Sequence, residues 1–171
     1  EEILNRFPYA KVIVYDNLMY KQDGLFSFFK YPKDRFEFVY GDVRDKNSLL
    51  EQLQKLDKDN DYVIPLAAIV GFPACARDEK LATAVNFEHV KYIVQSTRCR
   101  IIYPNTNSGY GVSDGEAHCT EETPLAPISV YGRTKCDAEE WVLGAGHTSL
   151  RLATVFGTSY RFRKDLLVND F

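Results

Sequence analysis

Much that would mark a specialised class of protein is absent from this chain of 171 residues. No apolar stretch approaches the roughly 20 residues that a membrane-spanning helix needs, and no secretory signal pattern is present. No basic run stands out. The formal net charge is −3, with both signs mixed along the chain, so nothing argues for a nucleic-acid surface. Cys75, Cys99, Cys119 and Cys136 form no C-x-x-C pair, and His89, His118 and His147 are scattered. Neither a metal site nor a disulfide framework is expected, and a reduced cytoplasmic protein is the default. Repeats and low-complexity segments are also missing.

What is there is an alternation. Residues 11–16, 36–40, 61–66, 100–103 and 149–153 read as short strands rich in Val, Ile, Tyr and Phe. Between them, residues 48–56 place Leu49, Leu50, Leu53 and Leu56 at helical spacing, 74–98 form a long helical region, and 128–142 a further helix. Residues 1–8 resemble the end of a helix, and 23–35 are an aromatic-rich connection without an assigned structure. Strands alternating with helices predict an α/β fold with a parallel sheet.

The strand ends carry the polar residues. Asp16 and Asn17 follow the first strand. In doubly wound nucleotide-binding folds an acid at such a place, at the end of the second strand, hydrogen-bonds the adenosine ribose and repels a 2′-phosphate. The plainer reading is a loop acid closing the next turn. Gly41, Asp42 and Val43 follow the second strand, where Asp42 is suited to an adenine amino group, while Asp45 is suited to cap the next helix. Leu66, Ala67 and Ala68 follow the third strand, with small side chains that let backbone approach a ligand.

The densest chemistry lies in residues 102–135. Thr106, Asn107 and Ser108 lead into a Gly-rich turn ending at Tyr110-Gly111. Tyr131 and Lys135 are four apart, so on a helix they share a face one turn apart. An ammonium beside a phenol favours the phenolate, which can take a proton from a substrate hydroxyl. Such a pair alone is most often a solvated helix face; coupled to the strand, the hydroxyl and the turn it reads as an active site.

These residues resemble the active site of the extended short-chain dehydrogenase/reductase family, in its nucleotide-sugar branch. There a Ser or Thr stands four residues before a Tyr-Gly pair, and Tyr-x-x-x-Lys follows about twenty-five residues later; Thr106, Tyr110-Gly111, Tyr131 and Lys135 match. The resemblance implies a Rossmann-type doubly wound parallel sheet and NAD as cofactor. Asp16, Asn17, Asp42, Val43, Leu66, Ala67, Ala68, Tyr131 and Lys135 would bind the cofactor. Tyr131, Lys135, Thr106 and Asn86 would form the catalytic set, with Tyr131 as base. Asn86 suits a buried structural amide equally well. Thr106, Asn107, Ser108, Thr154 and Asn169 would face a nucleotide-sugar substrate. The chain departs from the family at Pro65, where a His is usual, and at Thr154, where an Asn is usual.

The resemblance implies oxidation at the sugar's 4-position. Nucleotide-sugar 4,6-dehydratases place Asp-Glu directly after the active-site Thr; here Asn107 and Ser108 stand there, which disfavours water loss. A 4-epimerase remains open, and residues 103–111, 151–157 and 165–171 are closer still to GDP-heptose 4-dehydrogenases. The alternative from another class is a non-catalytic NAD-binding regulator on the same fold, which would need no Thr106, Tyr131 and Lys135. Family members carry a first strand with a Gly-rich phosphate turn and a C-terminal substrate domain. The chain is therefore expected to be a partial NAD-binding domain over residues 1–171, lacking that first strand and turn and largely lacking the substrate domain. A homodimer formed through the helix of Tyr131 is the implied assembly.

Overall fold

The computed structural model describes residues 1–21, 24–112 and 118–157, and every strand pairing within them is parallel. The chain divides into two units, one holding Glu1–Val43 and the other Arg44–Thr154.

In the first unit, the apolar run after Lys11 forms β1 (Val12–Asp16), and the alternating segment forms β2 (Phe36–Tyr40). They pair in register from Val12 beside Phe36 to Asp16 beside Tyr40. A short helix, α1 (Glu2–Arg6), precedes them. A helix end leaves carbonyls without partners. Arg35 supplies them, donating through Nη2 to the carbonyls of Leu4 (2.7 Å) and Phe7 (3.0 Å) and through Nε to that of Ala10 (2.7 Å). The aromatic connection contains a 3-10 turn, Gly24–Lys30, whose Phe28 and Phe29 rings lie 5.5 and 6.0 Å from the buried Phe36 ring. Gly41 has to be glycine, because a Cβ there would stand 2.3 Å from the Tyr15 ring.

In the second unit, α2 (Lys46–Leu53) starts at Asp45, whose carboxylate accepts from the Asn47 and Ser48 N–H groups, both at 3.1 Å. That cap is the one expected. The third strand is shorter than its apolar run, and β3 covers only Tyr62–Val63. Pro65 has no N–H to give a ladder, which is why the pairing ends early. Next come β4 (Arg100–Thr106) and β5 (Thr148–Leu152), and the sheet order is β3-β4-β5. Thr106 is in register with Leu152, and Asn105 with Arg151.

The region 74–98 is not one helix. It is α3 (Phe72–Arg77), α4 (Glu79–Thr83), a π-helical turn (Ala84–Glu88) and α5 (His89–Ser96). Asp78 makes the first break, leaving helical geometry to cap α4 by accepting from the Leu81 N–H at 2.9 Å. Asn86 sits inside the π turn. The longest helix, α6 (Val130–Gly144), begins at Ser129, whose hydroxyl accepts from the Gly132 N–H at 2.9 Å. The core joins Ile101 and Tyr103 of β4, Ala138 and Val142 of α6, and Val90 and Ile93 of α5. Val130, Ala138 and Val142 therefore belong to the core of their own unit and are not available for a dimer face, whereas Trp141 keeps 37% of its surface exposed. Among the described residues no helix is long and apolar enough to cross a membrane, and no group of His, Cys, Asp and Glu could hold a metal.

Candidate active site

The site forms where β4 runs out against α6. Side chains alternate along a strand. Tyr103 and Asn105 are buried towards the helix, and Thr106, the last strand residue, caps the 3-10 turn Asn107–Tyr110 by accepting from the Ser108 N–H at 3.2 Å. Lys135 is 5% exposed. Its ammonium donates to the Pro104 carbonyl at 2.6 Å and stands 3.9 Å over the Tyr103 ring. Burial lowers its pKa to about 8, offset in part by Cys136 and Glu139. Burial pushes the Tyr103 phenol well above its usual range, and Tyr131 adds to the rise. Tyr131 is half-buried in the first turn of α6, one turn ahead of Lys135. Lys135 is thus held at the end of β4 two residues before Thr106, with Tyr131 one turn ahead of it on α6.

The turn is held closed by its glycines. Gly109 lies under Cys136, whose Sγ would be 2.7 Å from an added Cβ, and its carbonyl accepts from the Ala126 N–H at 2.9 Å. Gly111 has a positive φ of 78° and would place a Cβ 2.3 Å from the Ala126 carbonyl, so only glycine fits. Asn107 and Ser108 are exposed on this turn.

Asn86 reaches the site from below. Its carbonyl accepts from the Ile69 N–H (2.8 Å) and its amide donates to the Ile69 carbonyl (3.0 Å) and to Thr134 Oγ1 (3.3 Å). It ties the loop of Ala67 and Ala68, both half-buried, to the helix that carries Lys135. Leu66 is 72% exposed. These bonds engage both ends of the amide, so the geometry favours a clasp that shapes the loop.

One cluster was not anticipated. Glu139, 2% exposed, lies one further turn along the Tyr131–Lys135 face of α6. It accepts from Ser149 Oγ at 2.6 Å and from Arg151 Nε and Nη2 at 3.0–3.1 Å. Burial would raise its pKa, but the Arg151 and Ser149 hydrogen bonds outweigh that and lower it. Asn105 adds to the lowering from nearby, yet its amide completes no hydrogen bond of ordinary geometry among the described residues. The i, i+4, i+8 spacing of Tyr131, Lys135 and Glu139 is the sequence signal that could have found it.

The other expected residues belong to the first unit or follow β5 in the chain. In the first unit, Asp16 Oδ1 accepts from the Leu18 N–H at 2.6 Å, and Asn17 Nδ2 donates to Asp42 Oδ2 at 2.9 Å. Tyr15 Oη donates to the Asp42 carbonyl at 3.1 Å, so the ends of β1 and β2, with Val43 next in the chain, are brought side by side. Thr154, past the end of β5, is exposed. Asn169 lies outside the described residues.

Comparison with known proteins gives the family and the fold. Residues 32–168 match the family model described as the RmlD substrate binding domain. Among solved structures, a UDP-glucuronic acid 4-epimerase from Bacillus cereus in complex with NAD superposes with a TM-score of 0.81 at 23% identity, covering 98% of this chain and 56% of that one. A double mutant of a dTDP-glucose 4,6-dehydratase from Streptomyces venezuelae, with NAD bound, gives 0.80 at 22%, covering 98% and 55%. A UDP-Glc/GlcNAc 4-epimerase from Campylobacter jejuni gives 0.70 at 23%, covering 82% and 45%. At these identities the likeness establishes a Rossmann-type fold, and the chain spans about half the length of those proteins.

Proposed function

The chain belongs to the family of the RmlD substrate binding domain, within the extended short-chain dehydrogenases/reductases, and from that premise we propose that its protein oxidises the 4-hydroxyl of a nucleotide-activated sugar with NAD. One observation carries the reading. A buried lysine of lowered pKa is fixed at the end of β4, with a tyrosine one helical turn before it and a threonine hydroxyl at the same strand end.

The donor set suits NAD. Lys135 uses one N–H on the Pro104 carbonyl and keeps others for ribose hydroxyls. Asp16 has acceptor sites beyond the one that the Leu18 N–H occupies. When bound, NAD supplies the hydride acceptor. The rest belongs to the chain. Thr106 holds the substrate oxygen through its hydroxyl. Tyr131 removes the hydroxyl proton, and the ammonium of Lys135 favours the phenolate that does so. Asn86 keeps the Ala67–Ala68 loop seated beside them. Asn107 and Ser108 bring no carboxyl group to expel water, so the outcome is epimerisation or release of the keto-sugar rather than dehydration. A homodimer is inferred with it, using the exposed edge of α6 around Trp141.

The test is incubation of the protein with NAD and a panel of GDP-, UDP-, dTDP- and CDP-sugars. Accumulating NADH identifies a dehydrogenase, and a changed sugar without net NADH an epimerase. Tyr131→Phe should lower turnover by on the order of 10²-fold or more. Tight NAD binding with no sugar changed would replace this reading with that of a regulator.

A further inference from the structure

Resting on that reading, we propose that Arg151 is a positioning residue, which locks the turn bearing Thr106 onto the helix bearing Tyr131 and Lys135. Its guanidinium is anchored on one side by Glu139 of α6, through Nε and Nη2 at 3.0–3.1 Å. On the other side Nη1 donates to Tyr110 Oη at 3.3 Å and to the Glu121 carbonyl at 3.0 Å. The guanidinium also stands 5.3 Å from the Tyr110 ring centroid. Tyr110 ends the 3-10 turn that Thr106 caps, and passes the restraint on by donating through Oη to the Thr120 carbonyl at 3.0 Å. One planar fork therefore joins α6, β5, the Thr106 turn and the segment at 120–121.

The cluster is poorly explained as stability alone. A buried ion pair contributes little net stability, because desolvating both charges offsets their attraction. What it does supply is geometry: a rigid fork fixes the direction of each partner, which a lysine ammonium cannot do for carboxylate, phenol and carbonyl together. Both ends of the fork reach proposed machinery, the helix through Glu139 one turn after Lys135 and the hydroxyl turn through Tyr110.

The experiment compares the protein with its Arg151→Lys and Tyr110→Phe variants by amide hydrogen exchange. The reporters are Ala126, which bonds the Gly109 carbonyl, and Thr123, which bonds the Thr120 carbonyl. Ala138 and Val142 in the buried face of α6 are the controls. Each variant should speed exchange at the reporters about ten-fold and leave the controls unchanged, as for a local opening. The double variant should add little to either single, because both cut one network. With the sugar identified by the panel, kcat should fall about ten-fold or more in both variants with KM nearly constant, since misplaced groups slow the chemical step. Unchanged reporters, or reporters and controls that speed up together, would overturn the proposal, the latter leaving Arg151 as an ion-pair partner only. Tyr110→Phe removes a single hydroxyl and decides the matter if Arg151→Lys does not fold. Because exchange is read without substrate, local opening in a protein that turns over no sugar would retain the lock and sink only the proposed reaction.

Discussion

Lys135 is the residue whose environment makes the sharpest demand. In the unfolded chain its amine titrates near 10.5, and in the fold burial brings it to about 8. Between those values the unfolded state binds more protons, so this site's contribution to stability rises with pH and is least favourable at neutral pH and below. Removing the charge removes that dependence. Lys135→Met should be stabilised relative to the parent near neutrality, with the gap closing by roughly 3 kcal/mol as pH approaches 10.5. Denaturant melts of both proteins across that range measure it, and a constant gap would mean that the amine is not desolvated as described. The gap has to be read as a difference, because Cys136, raised to about 11 by burial, weakens the fold over an overlapping alkaline range in both proteins. Tyr131→Phe tests chemistry instead, and should lower turnover on the order of 10²-fold or more.

Elements show where local pattern was enough and where it was not. The Asp45 cap was legible because an acid just ahead of a leucine-spaced run has one common use, and the carboxylate accepts from Asn47 and Ser48 as that use requires. Asp45→Ala should cost about 1 kcal/mol in a chemical melt. The region 74–98 was legible as helical but its internal breaks were not, because apolar spacing continues through it, while its course is set by side chains bonding backbone: Asp78 ends one helix and starts the next, and Asn86 sits in a π turn bonded to Ile69. Periodicity registers which face is apolar and is blind to such bonds. Asn86→Ala leaves the buried N–H of Ile69 without its partner and its C=O with the Cys75 thiol alone, and should cost about 2 kcal/mol. A melt indistinguishable from the parent would show that water replaces the amide at no loss. The third strand failed in the opposite way, since its apolar run ends in Pro65, which cannot donate to a ladder.

At the scale of the whole molecule, the four thiols report how the chain is closed. Cys75 and Cys99 are buried, Cys136 is half-buried with its pKa raised, and Cys119 is exposed. A thiol reagent at mildly alkaline pH should therefore label Cys119 at once, Cys136 slowly, and the other two only as the protein unfolds. Two fast equivalents would show that the face around Gly109 and Cys136 opens. The α/β class, the parallel pairing and the placing of Thr106 at a strand end and of Tyr131 and Lys135 one turn apart on a helix were all readable in the amino-acid order, because alternation, helical spacing and a strand end are properties of consecutive residues. Asp16 and Asp42 were readable as strand-end acids, though not the Asn17 bond that joins their strands. The order of residues alone determines which side chains stand at the strand ends and along one face of α6. Only the tertiary structure decided that Lys135 is buried under a carbonyl and over a ring, and that Glu139 and Arg151 meet across the interface of helix and sheet. Those contacts join residues distant in the chain, and desolvation and hydrogen bonding exist only once the fold has brought them together.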